Sequence, residues 1–315
     1  MVPRLVITPG DPRGIGPEVA LRALTLLGRE QPTDSIRIVG PEGDLTVGQL
    51  SALAAAHQER SSDEEAGTVA ARSIERAVGL ALAGDAEAII TAPLHKPSLH
   101  AAGWPVPGQT EMLRDISAAP RVGMLMSAET TRLNAPLRVL LATTHLPLAQ
   151  VHDAFTEDLL FEQVVLLDHA LRRDWGIHGP RLAVCGINPH AGDGGLFGDE
   201  EQRIMKPALA RARAEGVDVG EALPADTVFV RALNGEFDAV VTPYHDVGMA
   251  PFKTVSFGTG VNVTIGLPFI RTSPDHGTAF DIAGAGRADA GSMLEAIRLA
   301  QKLATNRFDT ATVHV

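Results

Sequence analysis

The chain has 315 residues, of which 45% are hydrophobic and 21% charged, and its formal net charge is −11. The apolar fraction excludes a disordered chain, and the single cysteine excludes a disulfide scaffold. At about 100–200 residues per domain the length favours two lobes, while the acidic balance argues against general affinity for nucleic acid or anionic membranes.

No apolar run reaches the ~18–20 residues that span a bilayer. The first residues, MVPRLVITPGDP, lack the apolar core of a signal peptide. We therefore expect a cytoplasmic protein without a membrane partner.

Short apolar runs alternate with helical stretches along the chain. Candidate strands are 4–8, 35–39, 88–91, 137–143, 181–187, 239–243 and 261–265. One helix is expected to begin after Ser62-Asp63, because Glu64 and Glu65 suit the positive end of a helix dipole. This alternation predicts an α/β fold with a largely parallel sheet covered by helices, in which ligands bind beyond the carboxyl ends of the strands.

A glycine-rich loop, PGDPRGIGPE at residues 9–18, follows the first strand. It matches neither the dinucleotide-binding pattern GxGxxG nor the P-loop. Glycine allows sharp turns, and Pro17 suits the first turn of the helix that follows. Taken alone, the loop is interpreted as a tight structural turn.

Three candidate strands each lead into a loop with a histidine: His145, His190 and His245. If the strands are parallel, these histidines start from one edge of the sheet and could converge. Neutral imidazoles bind divalent ions such as Zn²⁺, and three protein ligands leave a coordination position for catalysis. The alternative is that each histidine satisfies buried backbone groups.

The remaining histidines are weaker candidates. His95 and His100 flank Lys96 in a proline-rich loop, where a substrate contact and a structural turn are both open. Helical or surface positions are expected for five bystanders: His57, His152, His169, His178 and His314.

Several polar residues in the second half of the chain could bind an anion. Asn262 interrupts an apolar strand, and Arg271 could hold phosphate or carboxylate oxygens with two hydrogen bonds. Lys253 adds a mobile positive charge, and Asp226 is either a helix cap or a partner for a substrate hydroxyl. Cys185, in an apolar strand, is assigned to core packing.

Motifs over almost the whole chain resemble one family. The sequences ITPGDPRGIGPE, TAPLHKPSLHAAG, ATTHLPL, GINPHAGDGGLFGDEE, PADT, YHDVGMAPFK and GLPFIRTSPDHGTAFDIAG occur in a consistent order between about residue 4 and residue 300. Together they resemble the 4-hydroxythreonine-4-phosphate dehydrogenase family of pyridoxal phosphate biosynthesis. The opening motif is also similar to that of isocitrate and isopropylmalate dehydrogenases.

The resemblance implies two α/β lobes with the active site in the cleft between them. A discontinuous cofactor-side lobe would comprise 1–125 with 265–315, and a second lobe, 126–264, would carry the metal ligands and the contacts of a homodimer. His145, His190 and His245 match the ligands of one divalent ion (Zn, Mg, Co or Mn), one of them supplied by the neighbouring subunit.

The family pattern also assigns substrate and cofactor contacts. Thr110, Lys253, Asn262 and Arg271 match substrate contacts, and Asp226 matches an acidic position near the substrate. The segment His276-Gly277-Thr278-Ala279 matches the region that receives NAD, with NADP as an alternative. One position departs from the pattern: the family motif is usually Gly-His-Thr-Glu, and its histidine helps to bind the phosphate side of the substrate. This chain has Gln109 there, which is expected to contact the substrate still; it can donate a hydrogen bond but cannot become cationic.

The implied activity is metal-dependent oxidation of 4-phosphohydroxy-L-threonine by NAD, with loss of a carboxylate as CO₂. Lys253 is the first candidate for proton transfer, and Asp226 is the competing base. Two other substrates are open: erythronate or threonate 4-phosphate, and a cis-dihydrodiol dicarboxylate of the terephthalate type. A metabolite-sensing relative without catalysis is the non-enzyme alternative.

Overall fold

The computed structural model describes residues 2–56 and 61–312. The strands are β1 (Leu5–Thr8), β2 (Ile36–Val39), β3 (Asp44–Leu45), β4 (Ala88–Thr91), β5 (Gly123–Ala128), β6 (Leu137–Leu141), β7 (Arg181–Val184), β8 (Asp218–Val219), β9 (Ala239–Thr242), β10 (Val261–Ile265) and β11 (Ile270–Pro274). The helices are α1 (Gly16–Leu27), α2 (Val47–Ala56), α3 (Asp63–Leu82), α4 (Lys96–Ala101), α5 (Gln109–Ser117), α6 (Leu148–Ala154), α7 (Glu157–Arg173), α8 (Lys206–Ala214), α9 (Ala225–Leu233), α10 (His245–Ser256) and α11 (Gly291–Thr312). Two predicted bystanders, His57 and His314, lie outside the described residues.

The chain forms two compact units. The first contains Met1–Val122 and Val261–Asp309, and its strands follow the order β3-β2-β1-β4-β11-β10. Strands β2, β1, β4 and β11 are parallel, whereas β3 and β10 pair antiparallel to β2 and β11. Val6 and Ile89 of this sheet pack against Ile74 and Val78 of α3 in one buried cluster.

The second unit contains Gly123–Gly260, with the strand order β5-β6-β9-β7-β8. Strands β6, β9, β7 and β8 are parallel, and β5 is antiparallel to β6. Val139 and Val240 of the sheet pack against Val228 of α9 and Phe252 of α10. The three strands that precede the candidate metal histidines are therefore parallel neighbours, and their carboxyl ends share one edge.

The structure confirms the α/β class and the largely parallel sheet. The seven predicted strands are present, some of them one to three residues shorter than expected. Four of the strands described above were not predicted. Strands β3 and β8 have only two residues each, β5 lacks β-branched residues, and β11 contains Arg271, Thr272 and Ser273 at buried positions where apolar side chains are usual. Within the described part of the chain, no helix is both long and apolar enough to cross a membrane.

Helix α3 begins where the acidic run predicts. Ser62 is its N-cap: the Ser62 Oγ accepts a hydrogen bond from the Glu65 backbone N–H at 3.1 Å, and the Glu65 carboxylate accepts one from the Ser62 N–H at 2.8 Å. This reciprocal capping box satisfies two donors that have no partner inside the helix.

Replacing Ser62 with alanine is expected to lower the free energy of unfolding by about 1 kcal/mol, because one end of the capping box is lost. Urea denaturation of the purified protein measures this change. Ser51→Ala, at an exposed position in α2, is the matched control and is expected to change stability little. Equal stabilities of the Ser62→Ala variant and the parent would contradict the role of the cap.

Candidate active site

The three candidate metal histidines follow the carboxyl ends of neighbouring strands in the second unit. His145 lies in the loop after β6, His190 in the loop after β7, and His245 begins α10 after β9. Since β9 pairs with both β6 and β7, His245 follows the central strand of the three. The sheet order thus supports the common edge that the sequence predicts.

His145 and His245 lie together. Their ring centroids are 5.6 Å apart, and the ring planes are tilted by 42°. The Nδ1 of His245 is 2.7 Å from the Oδ1 of Asp246. A carboxylate at Nδ1 fixes the imidazole tautomer and leaves Nε2 available as a ligand, which is the usual arrangement of metal-bound histidine.

His190 is not brought to this pair within the chain. Five consecutive residues from His190 to Gly194 have left-handed φ angles of 42–78°, a conformation that is unfavourable for side chains other than glycine. The exposed His190 ring faces Phe197 at 6.2 Å. Among residues 2–56 and 61–312, no three His, Cys, Asp or Glu side chains are grouped closely enough to hold a metal ion.

A buried carboxylate holds the start of the His190 loop. Glu201 is 8% exposed, and its Oε1 accepts hydrogen bonds from the backbone N–H groups of Ile187 and Asn188 at 2.9 and 2.8 Å. Its Oε2 accepts a third from the Asn188 Nδ2 at 3.0 Å. Glu201 is a residue that the sequence did not single out; its signal there is the acidic pair Glu200-Glu201 at the end of the motif that contains His190.

Replacing Glu201 with alanine is expected to lower the affinity for a divalent ion by about 10- to 100-fold, because residues that orient metal ligands have effects of that size. Competition with a chromophoric chelator measures the affinity. The Glu201→Gln variant keeps an acceptor for the two backbone donors and is expected to retain most of the affinity for the ion. Glu221→Ala removes an exposed carboxylate paired with Arg213 and serves as the control. Unchanged affinity in Glu201→Ala would exclude the proposed support of the loop.

The two candidate acid–base residues also lie in the second unit. Lys253 is half-buried in α10, eight residues after His245. Asp226 is exposed in the first turn of α9, where its charge complements the helix dipole, and the N-cap of that helix is Pro224. The interpretation of Asp226 as the helix cap is therefore wrong, because Pro224 occupies the N-cap position.

In the first unit, Arg271 is buried on strand β11 rather than exposed in a loop, and it is only 3% exposed. Its Nη1 donates to Thr264 Oγ1 at 2.9 Å, and its Nη2 donates to Thr91 Oγ1 at 2.8 Å and to Gln109 Oε1 at 2.7 Å. All three acceptors are uncharged. Burial lowers the pKa of Arg271 to about 10, against a smaller opposing effect of the Glu111 carboxylate.

Two buried polar atoms at this position have no hydrogen-bond partner among the described residues. They are the Nε of Arg271 itself and the Oδ1 of Asn262. Asn262 is on β10, paired with Ser273 of β11, and Thr110 is half-buried in the first turn of α5. A buried donor and acceptor without partners are unfavourable unless a ligand or water satisfies them. The first unit thus brings Gln109, Asn262 and Arg271 into a polar region that suits an anionic ligand.

The predicted cofactor segment lies against the glycine-rich loop. The Ile15 N–H donates to the Thr278 carbonyl at 2.9 Å, and a Cβ at Gly14 would lie 2.8 Å from that oxygen, so only glycine allows this contact. Ala279 has a φ of 42°, and the buried Nε2 of His276 has no hydrogen-bond partner within the described residues. The first loop is therefore a tight turn, as expected, and it also supports the segment from His276 to Ala279.

Two other residues considered in the sequence, His95 and Cys185, lie in surroundings that fit a structural role. His95 Nδ1 lies 2.9 Å from the Ser98 Oγ, which donates to Asp63 at 3.0 Å, and Arg13 joins Asp63 to the buried Asp11. The pKa of Asp63 is lowered chiefly by its hydrogen bond from Arg13. Cys185 is fully buried, and burial raises its pKa to about 12, which agrees with core packing.

Comparisons with known proteins identify the family of this chain. The family model for the pyridoxal phosphate biosynthetic protein PdxA matches residues 10–300. A 4-hydroxythreonine-4-phosphate dehydrogenase from Burkholderia vietnamiensis is 42% identical over 322 residues, covering 96% of this chain and 97% of the relative. The crystal structure of a 4-hydroxythreonine-4-phosphate dehydrogenase from Klebsiella pneumoniae is 38% identical with a TM-score of 0.82, covering 96% of this chain and 99% of that one.

More distant structures share the architecture. A terephthalate 1,2-cis-dihydrodiol dehydrogenase from Burkholderia xenovorans is 26% identical with a TM-score of 0.66, covering 96% of this chain and 98% of that one. A β-decarboxylating dehydrogenase from Thermococcus kodakarensis, at 15% identity and a TM-score of 0.55, covering 95% of this chain and 83% of its own, shares the fold alone. Because the family model spans most of the sequence and the relatives match over nearly their full length, the chain belongs to the PdxA family of pyridoxal phosphate biosynthetic proteins.

Proposed function

We propose that this chain is an oxidoreductase that oxidises 4-phosphohydroxy-L-threonine with NAD in the presence of a divalent ion, and that the product loses CO₂. In this reaction the substrate's secondary alcohol loses a hydride to NAD⁺ and a proton to a base, and the resulting β-keto acid releases its carboxylate. Relatives at 42% identity that carry this enzyme name support the proposal. The structural observation that supports the proposal most strongly is the pair His145–His245, in which the Asp246 carboxylate contacts Nδ1 of His245.

The residues present fit a divalent ion if two chains contribute to one site. His145 and His245 supply two imidazoles from one chain, and His190, which lies apart from them, would be supplied by a second copy in a homodimer. Exposed Leu196 and Phe197 follow His190, and such apolar side chains suit a surface that another subunit covers. When bound, the ion supplies Lewis acidity toward a substrate oxygen and the nicotinamide accepts the hydride.

The chain's own groups would hold and orient the substrate. Arg271, with its unpaired Nε–H, and Asn262, with its unpaired Oδ1, would bind the anionic end, supported by Thr110. Lys253 would hold or transfer the proton of the reacting hydroxyl, with Asp226 as the alternative base. The segment from His276 to Ala279 would receive the nicotinamide dinucleotide, because its buried His276 Nε2 lacks a partner.

The dihydrodiol dicarboxylate is the second candidate substrate. It is favoured by one observation: the structure of a terephthalate dihydrodiol dehydrogenase superposes over almost the whole chain. Arg271 could bind a carboxylate as readily as a phosphate, since either anion accepts a charge-assisted hydrogen bond from its free Nε–H.

A substrate panel tests the proposal. NADH formation is followed by absorbance with 4-phosphohydroxy-L-threonine, erythronate 4-phosphate, threonate 4-phosphate and a terephthalate dihydrodiol, each with Mg²⁺, Mn²⁺, Zn²⁺ or Co²⁺ and after chelation. Turnover confined to 4-phosphohydroxy-L-threonine and abolished by chelation is the expected result. Turnover confined to another substrate moves the assignment to it, and binding of metal and substrate without turnover would indicate a metabolite sensor. NADP⁺ in place of NAD⁺ decides the cofactor.

A further inference from the structure

We propose that Gln109 is a positioning residue: its neutral amide holds Arg271 in place and leaves the positive charge of the guanidinium available to the anionic group of the substrate. This inference rests on the proposed function, because it concerns the group that would bind the substrate's phosphate. It differs from the sequence expectation, in which Gln109 itself contacts the substrate.

Both ends of the Gln109 side chain are engaged with the protein. Its Oε1 accepts the hydrogen bond from Arg271 Nη2 at 2.7 Å, and its Nε2 donates to the Ala92 carbonyl at 3.2 Å. Gln109 begins α5, whereas Ala92 directly follows β4 and Arg271 lies on β11. The amide therefore links three separate elements of the first unit, and it fixes one edge of the guanidinium while the Nε–H stays without a partner.

The charge of Arg271 is not neutralised by a hydrogen-bonded carboxylate. Its three acceptors, Thr91, Thr264 and Gln109, are neutral. Two half-buried arginines of this chain differ: Arg172 and Arg298 donate to carboxylates, and their pKa values are raised by those hydrogen bonds. The Glu111 carboxylate opposes the effect of burial on this cation only in part. A buried cation that is incompletely compensated is unfavourable in the free protein, so an anion that pairs with it gains more than it would at a surface.

The residue type at position 109 therefore decides how much net positive charge is available to bind an anion. A glutamate of the same shape would accept the same hydrogen bond and would also neutralise the guanidinium. A methionine of similar length would keep the charge of Arg271 and lose both hydrogen bonds of the amide, whereas glutamate would lose only the one to the Ala92 carbonyl. If Gln109 acts through the charge of Arg271, the glutamate substitution is expected to weaken anion binding more than the methionine substitution. If Gln109 serves packing and hydrogen bonding alone, the methionine substitution is expected to weaken it more.

Titration calorimetry with inorganic phosphate separates these cases, using the purified full-length protein. Gln109→Glu is expected to weaken phosphate binding by about 30-fold or more, and Gln109→Met by roughly 3- to 10-fold, since a hydrogen bond to a charged group is stronger than a neutral one. With the turned-over substrate, Gln109→Glu is expected to raise KM by a similar factor and to change kcat little. Gln31→Glu, an exposed substitution that changes net charge equally, is the control and is expected to bind phosphate as the parent does.

Two results would overturn the inference: equal phosphate affinity in the parent and Gln109→Glu, or a larger loss in Gln109→Met than in Gln109→Glu. Absence of phosphate binding by the parent would also overturn it. Failure of the proposed function is seen separately, as absence of NADH formation by the parent protein with 4-phosphohydroxy-L-threonine.

Discussion

Replacement of His245 by alanine is expected to remove the bound divalent ion and to lower kcat by about 10³-fold, while the fold persists. A catalytic ion contributes several kcal/mol of transition-state stabilisation, and about 1.4 kcal/mol corresponds to each factor of ten. The side chain of His245 is 37% exposed, so little core packing is lost. Metal content by mass spectrometry, activity and circular dichroism together measure the three effects. His178→Ala, at an exposed position outside the site, is the control.

A mixing experiment tests whether two chains share the site. His190→Ala is expected to be as inactive as His245→Ala, since each lacks one imidazole of every site. If His190 is supplied by a second copy, a dimer formed from one chain of each variant contains one intact site. Unfolding and refolding the two variants together is then expected to restore about a quarter of the parent's activity, since half of the dimers are mixed. No recovery, with mixed dimers demonstrated by mass spectrometry, would place all three ligands in one chain.

Replacement of Arg271 by methionine is expected to weaken phosphate binding by about 10- to 100-fold, because the charge-assisted hydrogen bond from its free Nε–H is worth about 1.5–3 kcal/mol. The same variant is expected to lose little stability without ligand, within about 1 kcal/mol of the parent, although the residue is fully buried. The charged guanidinium is unfavourable there, and its removal offsets the hydrogen bonds lost to Thr91, Thr264 and Gln109. Phosphate titration and urea denaturation in phosphate-free buffer provide the two measurements.

The pH dependence of stability has a definite sign. The pKa of Arg271 in the folded chain is about 10, below the ordinary value of 12.5, so between these values the unfolded chain binds more protons. The contribution of Arg271 to the free energy of unfolding therefore rises with pH through that window, and below it the charge is destabilising. The stability of the parent relative to Arg271→Met is thus expected to increase as pH rises above about 10. Arg72→Met, on the exposed side of α3, should show no such trend, and a large loss of stability in Arg271→Met at pH 7 would contradict this account.

The candidate metal histidines illustrate how far local sequence information reaches. The apolar runs 137–143, 181–187 and 239–243 predict strands β6, β7 and β9, and each histidine is visible in the loop that follows. The pairing order β6-β9-β7, which makes the strands neighbours, depends on contacts between residues about 60 to 100 positions apart and is not encoded in any one segment. The left-handed path from His190 to Gly194 is likewise hidden, because three of its five residues are not glycine.

Arg271 and Gln109 show the opposite case, in which sequence patterns mislead. The sequence predicts no strand at 270–274, yet Arg271 lies in a buried strand, where two threonine hydroxyls and one amide oxygen accept hydrogen bonds from its Nη atoms. Gln109 is 162 positions away from Arg271 in the chain. The departure from the family's histidine is visible in the sequence, but its physical meaning depends on this contact.

The sequence by itself determined the class of fold, most strands, the start of α3 and the residue types that could bind a metal ion and an anion, because these follow from hydrophobic periodicity, capping and side-chain chemistry within a few residues. The tertiary structure decided which histidines meet, that Glu201 holds the His190 loop, and that Arg271 is buried among neutral partners. These features arise from packing between distant segments, and it is there that burial and hydrogen bonding decide how a charge behaves.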